Sequence, residues 1–380
     1  MQAKTFFGLE EVLATELREI GASKIEILNR AVNFYGDKGF MYKANYSLRT
    51  ALRILKPIYS FKAFNEDHFY ENLIEFPFED YLTIEDTFSI DATVHSEKFT
   101  HSQFMTFKMK DAIVDRFRNK FNERPDISLK NPTVRFNLHI SDLNVTISLD
   151  SSGDALFKRG YKKSRGEAPI NEVLAAGMLK LAGWDGKGNL LDPMCGSGTI
   201  LIEAAMIATN LPAQLFRTEF GFQNWNDYDE SLFEEIKQVR LQRIRDFSGK
   251  IVGYDLDKTV IESAKSNIEF AELDEFISIE NKDFFESEKN LFPVLVIFNP
   301  PYNERLSIHE QTFYNSIGNT LKHHYPNTLA WMITSNLEAI KFIGLKPSRR
   351  IKLFNGKLEC KFLQFEMYEG SKKTKNQENN

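Results

Sequence analysis

The chain has 380 residues, 42% of them apolar, and a formal net charge of -5. That length suits two or three domains with sizeable cores, and the charge gives no global signal for a polyanionic partner. No apolar run approaches a membrane span and no signal-peptide pattern opens the chain, so a cytoplasmic protein that does not enter the membrane is expected.

Residues 1–60 alternate short helix and strand patterns. In "FFGLEEVLATELREIGA" a helix runs from about Leu9, with Leu9, Val12, Leu13, Leu17 and Ile20 on one face and Gly21 as a stop. "KIEILNRAVNFYG" reads as a strand pair and "MYKANYSLRTALRIL" as a second helix. Residues 61–160 repeat the mixture. "TFSIDATVH" alternates as a strand. "FKMKDAIVDRFRNKF" is amphipathic, with Ile113, Val114, Phe117 and Phe121 on one face and Lys110, Arg116, Arg118 and Lys120 off it. "TVRFNLHISDLNVTISLD" reads as two strands around Ser141–Asp142. These segments predict an α+β module rather than a parallel α/β one.

From about residue 170 the rhythm becomes helix–strand alternation, from "NEVLAAGMLKLAG" and "NLLDPM" through "PVLVIFNPP" to "TLAWMIT". It predicts a doubly wound, mostly parallel sheet. "RRIKLFNG" and "LECKFLQFEMY" close it as an antiparallel pair, with Asn355–Gly356 as the hairpin signal. The polar tail 370–380 is expected to be disordered.

Charge is uneven. Residues 1–165 hold 24 basic and 23 acidic side chains, and the remainder 24 and 30. "KRGYKKSR" has five basic residues and no acid, and the stretch from Lys341 to Lys361 has seven basic residues and one acid, Glu359. Such clusters are commonly solvated surface, and matter where another feature asks for a polyanion. The two cysteines, Cys195 and Cys360, are far apart, which argues against a disulfide framework. The seven histidines show no metal-ligand spacing, and no metal is expected.

Four strand ends carry chemistry. In "LLDPMCGSGTILIEAA" a buried strand ends at Asp192. Gly196 and Gly198 permit a tight bend and close ligand approach, and a helix N-terminus follows with free N–H groups. The spacing is not that of a dinucleotide or phosphate-binding loop. Asp255, ending "IVGYD", is placed to accept from ribose hydroxyls, while Asp257 is the natural helix cap. Asp283 in "NKDFF" ends a third strand, where it either accepts from an adenine amine or simply closes a turn. In "IFNPPY", the Asn299 amide oxygen and the Pro300 carbonyl form two acceptors on a rigid chain, suited to gripping the hydrogens of an exocyclic amine. Tyr302 offers a stacking face. Between Gly198 and Asp255 lies an insertion with the aromatic run "FRTEFGFQNW" and a charged helix over about 232–247.

The order "DPMCGSGT … GYDLD … D … NPPY" resembles class I S-adenosylmethionine-dependent methyltransferases acting on exocyclic amines. "LFKRGYKKSRGEAPINEVLAAGMLKLAGW" joined to "LLDPMCGSGTILIEAA" narrows this to the RNA guanine-N2 methyltransferases with an N-terminal THUMP domain, among them enzymes acting on bacterial 23S ribosomal RNA. The likeness runs from about residue 5 to 368. It implies a Rossmann-like class I methyltransferase domain at 170–369, with a mostly parallel seven-stranded sheet ending in an antiparallel hairpin. A ferredoxin-like α+β subdomain at 1–60, a THUMP RNA-binding domain at 61–160 and a cofactor-site cover at 161–169 would precede it.

The resemblance assigns S-adenosylmethionine to Asp192, Pro193, Met194, Cys195, Gly196, Ser197, Gly198 and Thr199, with Asp255, Leu256, Asp283 and Asn171. Asn299, Pro300, Pro301 and Tyr302 would hold the target guanine. Lys110, Arg116, Lys120, Lys158, Arg159, Lys162, Lys163 and Arg165 would supply affinity for RNA, ribosomal or transfer. Cys195 reads as a packing residue rather than a nucleophile. Asn303 departs from the family's usual glycine, though Asn tolerates positive φ. Some members carry a second methyltransferase domain, which a chain ending at residue 380 is expected to lack. Three other readings compete: the same chemistry on tRNA guanine, methylation of DNA adenine or a protein glutamine, and a non-catalytic RNA-binding factor.

Overall fold

The computed structural model describes residues 1–163, 170–290, 294–301 and 308–369. Arg165 with the rest of 164–169, Tyr302, Asn303 and the 370–380 tail lie outside the described residues. The chain forms two compact units. One comprises residues 1–5, 17–156 and 218–239, and the other 6–16, 157–217 and 240 onward.

The N-terminal half supplies β1 (Gln2–Lys4), α1 (Glu10–Glu19), β2 (Ser23–Leu28), β3 (Ala31–Tyr35), α2 (Lys38–Ser47), β4 (Arg53–Lys62), α3 (Glu66–Glu75), β5 (Thr87–His95), α4 (Ser102–Phe121), β6 (Asp126–Ile127), β7 (Val134–Ser141) and β8 (Asn144–Asp150). Their strands form one eight-stranded sheet in the order β2-β3-β1-β4-β8-β7-β5-β6. It is mixed, because β5 pairs in parallel with both β6 and β7. Strict alternation buries Val134, Phe136, Leu138 and Ile140 on one face of β7. Asp142, at φ +53, turns the chain into β8. α4 packs on β5 and buries Ile113, Val114 and Phe117. Phe121, expected on the same face, is exposed at the helix's last residue, before the left-handed Asn122.

The helix expected over 41–55 stops at Ser47. Leu48 turns extended, its N–H still donating to the Ala44 carbonyl (3.1 Å). Arg53–Leu55 then pair with β1. Helical propensity in "LRTALRIL" yields to strand pairing, whose backbone bonds close the centre of the sheet.

The second unit contains α5 (Glu172–Leu181), β9 (Asn189–Asp192) and α6 (Thr199–Ala208). The chain then passes through α7 (Glu230–Leu241) to β10 (Ile251–Asp255), α8 (Lys258–Phe270), β11 (Ile277–Asn281), β12 (Val294–Phe298), α9 (Ile308–His324), β13 (Leu329–Thr334), β14 (Arg349–Asn355) and β15 (Leu358–Glu366). The seven-stranded sheet runs β11-β10-β9-β12-β13-β15-β14, parallel from β11 to β13 and antiparallel at β15 and β14. At the closing hairpin Asn355 pairs with Leu358, and Gly356 takes positive φ (+62) as the first loop residue. All ten residues of α6 are buried, which explains a helix apolar on every side. Val296, Phe298, Met332, Leu363 and Phe365 share a core with Tyr314, Ile317 and Leu321 of α9.

Residues 218–239, the middle of the stretch that reads as an insertion, pack in the first unit. The Phe222 ring stacks on Tyr42 (centroids 4.4 Å), and the Asp229 N–H donates to the Tyr42 hydroxyl (3.1 Å). The charged helix there ends at Leu241 rather than Phe247.

Candidate active site

From β9 the sheet grows through β10 and β11 on one side and through β12 and β13 on the other. Ligands in open α/β sheets bind at such a reversal, beyond the carboxyl ends of the strands. Asp192 ends β9, Asp255 ends β10, Asn281 ends β11, and Asn299 follows the last residue of β12. Leu191 pairs with Val252 on one side and Val296 on the other, so these ends share one rim.

Two carboxylates frame the glycine turn. Asp192 is fully buried and accepts from the Met194 N–H (3.2 Å). Burial pushes its carboxyl well above the usual range, and the Asp255 carboxylate pushes it further. Asp255 accepts from the Gly196 N–H through Oδ2 and from the Asp257 N–H through Oδ1, both at 3.0 Å. Gly196 (φ +53) and Gly198 (φ +81) are left-handed, and a Cβ on Gly196 would point into open space. The chain bends here because glycine carries no steric cost at positive φ. Gly198 is the N-cap of α6. Among the described residues Thr199 Oγ1 and Asn299 Oδ1 are buried without a hydrogen-bond partner. Leaving such an acceptor dry and unmet costs about 1–3 kcal/mol unless a ligand meets it. Two acids, an open glycine turn and unmet acceptors suit a ligand that bears positive charge and N–H groups.

The other predicted residues take defined places. Pro193, Cys195, Ser197 and Pro300 are buried, Met194 is half-buried, and Leu256 and Pro301 are exposed. Burial raises the Cys195 thiol well above its ordinary value, and the Asp192 and Asp255 carboxylates add to this, which removes nucleophilic character. Its sulfur packs beside Gly253, where an added Cβ would come within 3.0 Å of it. Asp257 caps α8 by accepting from Thr259 and Val260 N–H. Asp283 accepts from the Phe285 N–H (2.8 Å) in a single turn of 3-10 helix. Asn171 caps α5, accepting from Val173 (2.9 Å) and Leu174 (3.4 Å) N–H.

Several predicted RNA contacts are engaged inside the fold instead. Arg116 forks onto Glu79 through two bonds of 2.6 Å and donates to the Ile74 carbonyl (2.7 Å), while Lys120 joins Glu79 at 2.7 Å. Arg116 foremost, with Lys120, holds the Glu79 carboxyl down to about 2. Arg159 is fully buried, with Nε donating to Glu203 (3.2 Å), which also accepts from the Tyr161 hydroxyl (3.0 Å). Lys162 is nearly buried against Glu172 (2.8 Å). The cationic groups of Arg116, Arg159 and Lys162 therefore face partners rather than solvent, whereas Lys120 stays exposed beside Glu79. Lys110 pairs with Asp111 (2.6 Å) at a partly exposed position, and Lys158 and Lys163 are exposed.

Two bracing asparagines were not legible as site residues. Asn267, fully buried on α8, donates to the Ser197 carbonyl (3.2 Å) and accepts from the Lys163 N–H (3.0 Å). It ties the glycine turn to the segment that leads into 164–169. Its position on the apolar stripe of Ile261, Ala264 and Ile268 is the signal that could have found it. Asn281 donates to the Asp255 and Leu256 carbonyls, both at 3.0 Å, and fixes the end of β10.

Among the described residues no helix is long and apolar enough to cross a membrane, and no group of three or more His, Cys, Asp or Glu could hold a metal.

Residues 159–364 match a family model described as RMKL-like, methyltransferase domain; residues 1–55 match the RlmL ferredoxin-like domain and 63–150 the THUMP domain. The ribosomal RNA large subunit methyltransferase K/L of Syntrophotalea carbinolica is 37% identical over 376 residues, covering 95% of this chain and 53% of that protein. The slr0064 protein of Synechocystis sp., named as a candidate RNA methyltransferase, is 35% identical over 364 residues, 95% of each chain. The solved structure of SMU.472, a candidate methyltransferase complexed with SAH, superposes with a TM-score of 0.85 at 27% identity, over 97% of this chain and 98% of that one. The chain spans about half the length of the K/L relatives that it matches.

Proposed function

The chain belongs to the RMKL-like methyltransferase family, and from that premise we propose that it methylates the exocyclic N2 amine of a guanine in large-subunit ribosomal RNA, with S-adenosylmethionine as cofactor. The carrying observation is Asn299 Oδ1, buried and without a partner among the described residues, on the rim that holds Asp192 and Asp255. When bound, the cofactor supplies an electrophilic methyl group. Asp192, Gly196 and Thr199 would hold its methionine portion, Asp255 its ribose and Asp283 its adenine. The K/L name of the relatives and the THUMP match support ribosomal RNA as the substrate class.

The protein's part is positional. Asn299 Oδ1 and the Pro300 carbonyl accept the two hydrogens of the target amine and fix its direction, and Pro301 stiffens the exit of the chain. Tyr302 would give the guanine a stacking face. The base must leave its stack to reach this rim, so looped or single-stranded RNA is the expected form. Direct attack of the amine needs no covalent enzyme intermediate, in keeping with the inert Cys195 thiol. The test is transfer from methyl-labelled S-adenosylmethionine to undermodified ribosomal RNA, followed by nucleoside analysis. N2-methylguanosine is the expected product; N6-methyladenosine, or label confined to transfer RNA, would overturn the reading.

A further inference from the structure

The basic stretch Lys341–Lys361 plays no part in the site described above. It lines a separate groove of about 560 Å³ in the second unit. The floor is apolar, built from Leu337, Ile340, Leu345 and Leu363. The rim carries Lys341, Lys346, Arg350 and Lys361, and no acid lines it among the described residues. Glu359, the single acid of the stretch, pairs with Lys352 (2.6 Å) and Lys361 (3.6 Å). Lys341 lies over the Phe342 ring (5.1 Å). Lys346 and Arg350 are exposed and form no ion pair among the described residues.

The groove adjoins the catalytic rim. Phe298 pairs with Met332, and two residues on, Thr334 pairs with Lys361. Lys361 is thus level with Pro300 and two strands away, about 10 Å at the ordinary strand spacing. An aliphatic floor takes the flat face of a base, and paired cations above it take phosphates. Charge complementarity selects a polyanion over an acid-poor peptide.

We infer that this groove binds a nucleotide of the RNA strand next to the target base, with Leu337 and Leu345 against the base and Lys346 and Arg350 on its phosphates. The inference rests on the proposed function, because it needs RNA at Asn299.

The experiment uses the full chain, a short fluorescein-labelled single-stranded RNA containing guanine, and K346E/R350E and L337A/L345A variants. Anisotropy across a salt series gives affinity and its salt slope, and calorimetry gives S-adenosylmethionine affinity. K346E/R350E is expected to weaken RNA binding roughly tenfold and to cut the slope by about 1.4, at about 0.7 per lost phosphate contact. Cofactor affinity stays at the wild-type value. L337A/L345A is expected to weaken RNA binding with the slope unchanged, as loss of a base contact requires. If the wild type binds and methylates RNA while both variants match it, the groove inference falls alone and the proposed function stands. If the wild type binds cofactor but neither binds nor methylates RNA, the proposed function falls and takes the groove with it.

Discussion

Two sets of residues looked alike as sequence: polar side chains where chemistry was expected. In the first, Arg116 and Lys120 meet Glu79, and Arg159 meets Glu203, so the charges are matched by protein groups. In the second, around Asp192 and Asn299, one buried carboxyl faces another acid and two buried oxygens have no partner among the described residues. Matched charge holds a fold together. Unmatched polarity at a strand rim is tolerated where a ligand completes it. Buried atoms without a partner among the described residues occur elsewhere too, Glu203 Oε2 and Ser89 Oγ among them, so it is position at the strand rim, beside the glycine turn, that marks the functional oxygens.

The comparison breaks first at Arg159. If it is structural, Arg159→Ala leaves Glu203 buried without its cation and costs about 3–5 kcal/mol in urea unfolding. An unchanged midpoint, with RNA affinity lost instead, would return Arg159 to the RNA-binding surface. At the other pole, Asn299→Ala is expected to lower single-turnover methyl transfer roughly 10²-fold, as misplacement of a reacting group does, with calorimetric cofactor affinity intact. Full activity would remove Asn299 from the site.

Asp192 sharpens the contrast, because here stability and function oppose each other. Its raised carboxyl contributes stability while protonated, and that contribution is lost as pH rises through the folded value. Asp192→Asn should therefore stabilise the ligand-free protein at neutral pH in urea unfolding, with the gain shrinking in acid. The same variant should bind S-adenosylmethionine about tenfold more weakly, since a charge-assisted contact is removed. A loss of stability at neutral pH would contradict the assignment. The smallest effect belongs to Glu79. Held at about 2 by Arg116 and Lys120, it contributes stability above its ordinary 4.5 that fades as pH falls toward 2. After discounting for solvent, Glu79→Gln should cost about 1–2 kcal/mol near pH 7, and the gap should narrow below pH 4.5. A gap independent of pH would mean that packing, not charge, sets the cost.

Much of this was readable in the residues. β9 to β13 were legible because buried parallel strands read as apolar runs that end abruptly in polar residues. The glycine turn was legible because two glycines between a strand and an apolar helix have few other uses. The end of α2 was not, since "LRTALRIL" has helical propensity and its strand state depends on pairing with residues 2–4. The fates of Arg116 and Arg159 were not legible either, because Glu79 is 37 residues and Glu203 is 44 residues away.

The sequence by itself determined the parallel alternation, the strand-end acids Asp192 and Asp255, the glycine turn and the Asn-Pro-Pro segment, because each is written in neighbouring residues; Asp283, expected at a strand end, instead caps the turn two residues beyond β11. Tertiary structure alone decided which cations stay exposed, that residues 218–239 pack in the first unit, and that Asn267 joins the glycine turn to Lys163. Those outcomes depend on contacts between residues far apart in the chain, and no local pattern encodes the partner of a buried charge or amide.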